Sequence, residues 1–149
     1  MNFWEDQKIV TSFYSQCVKP VCEKYGLTRM EFDILMFLSN NPEYNTASDI
    51  VRIRLLTKSH VSISLKELET CGLVKTAFQN NNRKTMHISI QEKAAPVIAD
   101  GKLAQQEFAQ KLLQGFSLEE VEMYSKLFQR TCENARKEME TSYEKSSIN

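Results

Sequence analysis

The sequence predicts a mostly α fold with one small antiparallel unit of two or three strands. Three observations lead there. A hydroxyl residue followed three positions later by an acid marks three helix starts, at Thr28 with Glu31, Thr46 with Asp49, and Ser117 with Glu120. Apolar residues at helical spacing follow each of them. Between Leu73 and Ile90 the period falls to two, with Met86, Ile88 and Ile90 alternating with His87 and Ser89.

The first helix is expected at Glu5 to Cys22, with Val10, Phe13, Cys17 and Val21 as its stripe and Pro20 kinking or ending it. A second runs from Thr28 to about Ser39, with Met30, Ile34, Leu35 and Leu38 inward; Asn40, Asn41 and Pro42 stop it. A short third helix covers Ala47 to Ile53, with Ala47, Ile50 and Val51 inward. After a turn at 54–57 comes the stretch TKSHVSISLKELETCGLV, from Thr57 to Val74. On a helical wheel Val61, Leu65 and Leu68 share one side, with Ser64 and Cys71 at its edge. Ser59, Ile63 and Lys66 lie opposite, flanked by His60 and Ser62, and Gly72 suits a left-handed cap.

Residues 73–79 and 85–90 read as strands around the polar, basic tip NNNRK, since Asn tolerates turn conformations. Another helix is expected from Ala94 to Gln114, carrying Phe108 and Leu112, its first turn irregular because of Pro96. The last runs from Ser117 to Tyr143, striped by Leu118, Val121, Tyr124, Phe128, Cys132, Ala135 and Met139. At 1.5 Å per residue it spans ~40 Å. That is long for so small a domain, so its stripe calls for a second surface, most simply another copy of the chain; packing against the first helix is the alternative.

The 149 residues suit one domain able to bury its own core. The longest apolar run, Ile34 to Leu38, is far too short for a membrane span. Glu5, Asp6 and Lys8 stand where a signal peptide would be apolar, so a cytoplasmic protein with no membrane partner is expected. Cys17, Cys22, Cys71 and Cys132 form no C-x-x-C pair, and His60 and His87 are the only histidines. Free thiols and no metal site follow, with Cys71 and Cys132 structural. There is no nucleophile–base set and no phosphate-cradling glycine loop, so no enzyme and no cofactor is expected.

The net charge is zero, yet residues 46–90 hold seven Lys and Arg against three Asp and Glu, a local excess of +4. This basic middle between acidic flanks suggests a contact surface for an anion. The order of short helix, tight turn, helix and hairpin is that of a helix-turn-helix. Small hydrogen-bonding side chains are what a helix needs on its outer face to enter a DNA major groove. Ser59, His60 and Ser62 supply them; Lys58 and Lys66 reach phosphate or guanine; Ile63 meets a thymine methyl. The amides at Thr57 to Ser59 suit a phosphate, and Arg83 and Lys84 suit the minor groove or backbone. Two plain alternatives stand: a solvated helix face, or an Ile63 that anchors another protein instead of DNA.

The chain resembles the multiple-antibiotic-resistance regulator (MarR) family of bacterial transcription factors. The resemblance rests on LTRMEFDILMFL (27–38), the stretch from Thr57 to Val74, ISIQEKA (88–94) and QGFSLEE (114–120). The family pattern is matched at Lys58, Ser59, Val61, Ser62, Leu68, Glu69, Gly72, Leu73 and Val74. It implies a winged helix-turn-helix with N- and C-terminal dimerisation helices, in one domain over 1–149. Residues 28–90 would be the DNA-binding lobe, and 1–25 with 91–149 the helical dimerisation lobe. It also implies a homodimer that regulates transcription on a near-palindromic operator in double-stranded DNA, released by a small aromatic effector or by thiol oxidation. Ile63 stands where the family often has Arg. Asn81 and Asn82 stand where its wing has an Arg and a bracing acid, so wing contacts should rest on Arg83 and Lys84, with a shallow salt dependence. An aromatic pocket would draw on Phe13, Tyr25, Phe32 and Phe108, unless these are simply core. Cys17, next to Tyr14, is the candidate for a redox sensor, against the plainer reading of a packed thiol whose nearest sequence cation is Lys19.

Overall fold

In a computed structural model of the chain, residues 1–146 are described, with side chains to Ser142. Helix α1 (Phe3–Tyr25) is longer than the expected 5–22 and runs through Pro20. Proline removes the N–H that the Gln16 carbonyl would accept. Gln16 and Pro20 both lie on the exposed side, open to solvent, while Val18, Val21 and Cys22 are buried on the other side and hold the next turn. Gly26, at φ 63°, ends the helix, and its N–H and that of Leu27 return to the last carbonyls.

Helix α2 (Arg29–Asn40) starts in a complete Thr28–Glu31 capping box. Of the expected inward residues Ile34, Leu35 and Leu38 are buried and Met30 is half-buried; Glu31, Phe32, Met36 and Phe37 are buried as well. The helix is covered on nearly all sides because it belongs to two apolar clusters. Ile34, Leu35, Phe37 and Leu38 pack with Ile50, Val61, Leu65, Leu68, Val74 and Ile88. Phe32 and Met36 pack with Val18, Val21, Cys22 and Ala104.

The Thr46–Asp49 box opens α3 (Ala47–Arg54). Ile50 is buried and Val51 half-buried, but Ala47, expected inward, is exposed: its methyl gains little from burial. Leu55, at φ 54° and ψ 45°, closes this helix in the left-handed region, and α4 (Lys58–Thr70) begins behind Thr57, whose hydroxyl accepts the His60 N–H.

Strands β1 (Val74–Gln79) and β2 (Asn82–Ile90) form a two-stranded antiparallel sheet. The turn is only Asn80–Asn81, both at positive φ, so Asn82, Arg83 and Lys84 lie in β2 and not in the expected five-residue tip. Two successive left-handed residues match the twist of a tight hairpin, and Asn is among the few side chains that accept them. Where a third strand would lie, the Asn45 carbonyl accepts one bond from the Ile88 N–H, at 2.8 Å.

A 3-10 turn at Glu92–Ala94 precedes α5 (Ala95–Leu112), as the position of Pro96 implies. Helix α6 (Leu118–Ser146) opens with the Ser117–Glu120 box. The chain divides into two compact units, Met1–Ala109 and Gln110–Asn149. In the second, Leu118, Tyr124, Phe128 and Met139 of the expected stripe are exposed, and the Tyr124 and Phe128 rings stack at 6.0 Å.

Candidate nucleic-acid interface

The inner side of α4 is set by Val61 and Leu68, both fully buried, with Leu65 and Ser64 beside them. That anchoring turns the opposite side to solvent. Lys58, Ser59, His60, Ser62, Ile63 and Lys66 are all exposed, and Ile63 is 63 % exposed at the centre of the face. The Thr57 hydroxyl takes the third amide of the helix, so the first two, at Lys58 and Ser59, are those left for an anion.

Several contacts fix the hairpin beside α4. Glu69 Oε1 accepts from the Thr76 N–H at 3.1 Å and from its hydroxyl at 3.0 Å. Lys93 donates to the Cys71 carbonyl at 2.8 Å. His87 Nδ1 lies 2.7 Å from Asn45 Oδ1, tying β2 to the loop before α3. Arg83 and Lys84 are exposed, and the Lys84 N–H donates to Asn82 Oδ1 at 3.0 Å, so Asn82 braces the wing through its amide.

The basic excess of residues 46–90 is partly used inside the protein. Arg52 pairs with Asp49 at 3.1 Å and sits over the Tyr44 ring, and Arg54 reaches Asp33 at 3.6 Å. Burial pushes the Asp49 carboxyl up, but hydrogen bonds from Thr46 and the pairing with Arg52 outweigh it and hold the carboxyl below its ordinary value. Lys58, Lys66, Lys75, Arg83 and Lys84 remain on the surface.

The residues considered for a sensing role are not gathered in one place. The Phe13 and Phe108 rings meet at 5.5 Å, with Tyr14 5.1 Å from Phe108. Tyr25 instead donates its hydroxyl to Asp100 at 2.7 Å, and Phe32 is fully buried core. An open cleft of about 500 Å³ lies by Ser15, Val18, Lys19, Cys22, Leu27 and Arg29, and none of those four aromatic residues lines it. Burial raises the thiol pKa of Cys22 at its edge. Cys17 is half-buried, as is Cys132, while Cys71, expected to be structural, is exposed one residue beyond the helix. The wheel had set Cys71 only at the edge of the inner face, and the helix ends before it can turn inward.

Sequence reasoning passed over Asn45, Thr76 and Asp33, which help hold the interface in place, and named Glu69 only as a match to the family pattern, without its contact to Thr76. Among the described residues no group of three or more His, Cys, Asp or Glu is placed to hold a metal, and no helix is long and apolar enough to cross a membrane.

No curated protein matches the sequence significantly. Among solved structures, the chain is similar to a MarR family transcriptional regulator from Listeria monocytogenes complexed with a 26mer DNA (TM-score 0.79, 19 % identity, covering 90 % of this chain and 88 % of that one). It is similar to the S. aureus MepR–DNA complex (0.74, 17 %, 91 % and 96 %). It is also similar to a MarR transcriptional regulator from Methanosarcina mazei Go1 (0.77, 16 %, 91 % and 90 %). The MarR family model matches residues 25–84, from the end of α1 through the hairpin turn. Residues 25–84 are thus similar to the MarR family, and the chain shares the winged-helix fold of the solved MarR-family regulators.

Proposed function

We propose that this chain is a sequence-specific DNA-binding transcriptional regulator that acts in the cytoplasm as a homodimer. Helix α4 enters the major groove of double-stranded DNA, and the hairpin lies at the minor groove or backbone. The observation that carries this reading is the outward face of α4, where small hydrogen-bonding side chains and lysines surround the exposed Ile63. The DNA complexes of the Listeria monocytogenes and S. aureus proteins of the same fold support it. Residues 28–90 act as the DNA-binding lobe, and 1–25 with 91–149 as the dimerisation lobe. The exposed stripe of α6 supports the second copy, and the Phe13–Tyr14–Phe108 rings give a small aromatic effector a surface in keeping with its chemistry.

Selection of bound sequences from a random DNA pool tests the reading. The expected product is a near-palindrome with half-sites ~10 bp apart, centre to centre; a pool without enrichment refutes it. On the selected site, the double change Ile63→Glu/Lys66→Glu should abolish a mobility shift. Binding that survives it places the reading helix elsewhere.

One observation favours a rival reading, a winged-helix module for protein contacts: Ile63 and Leu55 are both large, apolar and mostly exposed on a chain of zero net charge. The same selection separates the two.

A further inference from the structure

The hairpin carries an apolar pair that its own domain does not cover. Val74 opposes Ile90, Thr76 opposes Ile88 and Phe78 opposes Met86. Side chains alternate along a strand, so these three pairs share one face of the sheet. The first two reach the core: Val74 and Ile88 are buried, and Ile90 and Thr76 half-buried. The third has left it, with Phe78 49 % and Met86 46 % exposed. The face that packs against the protein at its root therefore continues past it as an aromatic–thioether pair.

What surrounds that pair indicates its occupant. The register breaks just beyond it: Gln79 pairs with Asn82, so Arg83, Lys84 and Thr85 bulge from β2 with no partner residue on β1. From Val74 to Ile90 the hairpin holds Lys75, Arg83 and Lys84 and not one Asp or Glu. Beyond the pair the hairpin's charged side chains, Arg83 and Lys84, are both cations, while the Glu69 carboxylate is held at the root of the hairpin on Thr76. An apolar pair with cations on its outer side fits a surface with apolar walls between two rows of negative charge. The minor groove is such a surface, with deoxyribose walls between phosphate backbones.

We propose that Phe78 and Met86 form an apolar foot that packs on the deoxyribose wall of the minor groove beside the half-site, while Arg83 and Lys84 meet the phosphates on either side. This rests on the DNA-binding reading above. The foot adds affinity by removing apolar area from water. The bulge cations add a salt-dependent part. The two contributions are separable.

The test is fluorescence anisotropy of the full chain on the selected duplex across a salt series, for Phe78→Ser/Met86→Ser and for Arg83→Ala/Lys84→Ala. The first should weaken binding by roughly 10- to 100-fold at every salt concentration and leave the salt slope as in the wild type. The second should flatten the slope. Phe78→Leu/Met86→Leu should retain most of the affinity, and the double Ser variant, which loses only a half-covered cross-strand pair, should remain folded with a modestly lower thermal midpoint. Hydroxyl-radical cleavage, which attacks deoxyribose hydrogens, should show flanking protection with the wild type and none with the double Ser variant. If the wild type binds no duplex, the DNA-binding reading itself fails. If it binds and the double Ser variant binds equally, or loses oligomeric state by sedimentation instead of affinity, the foot alone is refuted.

Discussion

The Asp33 carboxylate of α2 stands 3.6 Å from the Arg54 guanidinium at the end of α3, while its other oxygen takes the Arg29 Nε at 2.8 Å. Asp33 is largely shielded and Arg54 is not, so the two partners should respond differently to removal. Asp33→Asn leaves two guanidinium groups without their anion and should cost roughly 1–2 kcal/mol in urea unfolding, a charged hydrogen bond discounted for its exposed arm. Arg54→Ala should cost less than about 0.5 kcal/mol. Equal costs would show that Arg54, not Arg29, is the main partner.

Leu55 holds φ 54° with its side chain 71 % exposed. A left-handed conformation penalises a side chain by about 1–2 kcal/mol, and no buried contact offsets this here. Leu55→Gly should raise stability by about 1 kcal/mol and leave DNA affinity unchanged. A loss of affinity without a loss of stability would assign Leu55 to a partner contact.

Gly101 lies where α5 crosses α2. A Cβ there would stand 2.5 Å from Met36 Sδ and 3.0 Å from Phe32 Cε2. Both neighbours are buried and have little room to retreat. Gly101→Ala should destabilise by roughly 1–3 kcal/mol in spite of the better helix propensity of Ala. A stabilised variant would show that Met36 moves aside freely.

Asp100 Oδ2 accepts from Lys24 Nζ and Tyr25 Oη, both at 2.7 Å. Lys24 first and Tyr25 second hold its carboxyl below the ordinary 3.8. A carboxyl depressed in the folded state stabilises above its unfolded value and ceases to do so as pH falls through the folded one. Asp100→Asn should therefore lower the urea midpoint at neutral pH, and the gap to wild type should close as pH falls below 3.8. The phenol of Tyr25 is shifted the other way, raised by its bond to Asp100 above 10.0. The penalty of Tyr25→Phe should accordingly persist at neutral pH, shrink in acid as Asp100 is protonated, and close in alkali as the phenol ionises. A gap that is constant from acid to neutral pH would detach Asp100 from both partners.

Of the seven cations of residues 46–90, Arg52 and Arg54 are paired with Asp49 and Asp33, which leaves Lys58, Lys66, Lys75, Arg83 and Lys84 for phosphates. Lys58→Ala and Lys84→Ala should each reduce the logarithmic salt slope of DNA binding by ~2, one phosphate contact from each subunit of the homodimer, whereas Arg52→Ala should leave it unchanged. A slope that falls with Arg52→Ala would mean that Asp49 gives up its partner to phosphate.

The face of α4 was legible because one period organises it: Val61, Leu65 and Leu68 inward require Ser59, Ile63 and Lys66 outward. Helix α2 was only half legible, since a stripe is what a helix with one neighbour shows, and this one has neighbours on both sides. In NNNRK, Asn suits both a turn and the strand end after it, so only the pairing of Gln79 with Asn82 separates the two. The links that position the interface were not legible at all. Asn45 and His87 are 42 residues apart, and nothing local in either marks the other.

The double membership of α2 also governs how residues 1–109 come apart. Phe32 and Met36 belong to one apolar cluster, and Ile34, Leu35, Phe37 and Leu38 to the other. Neither cluster can open without exposing residues one turn away in its neighbour. The helix-turn-helix should therefore melt together with the α1–α5 packing in a single cooperative step, and the backbone amides of α2 should be the last to exchange with deuterium.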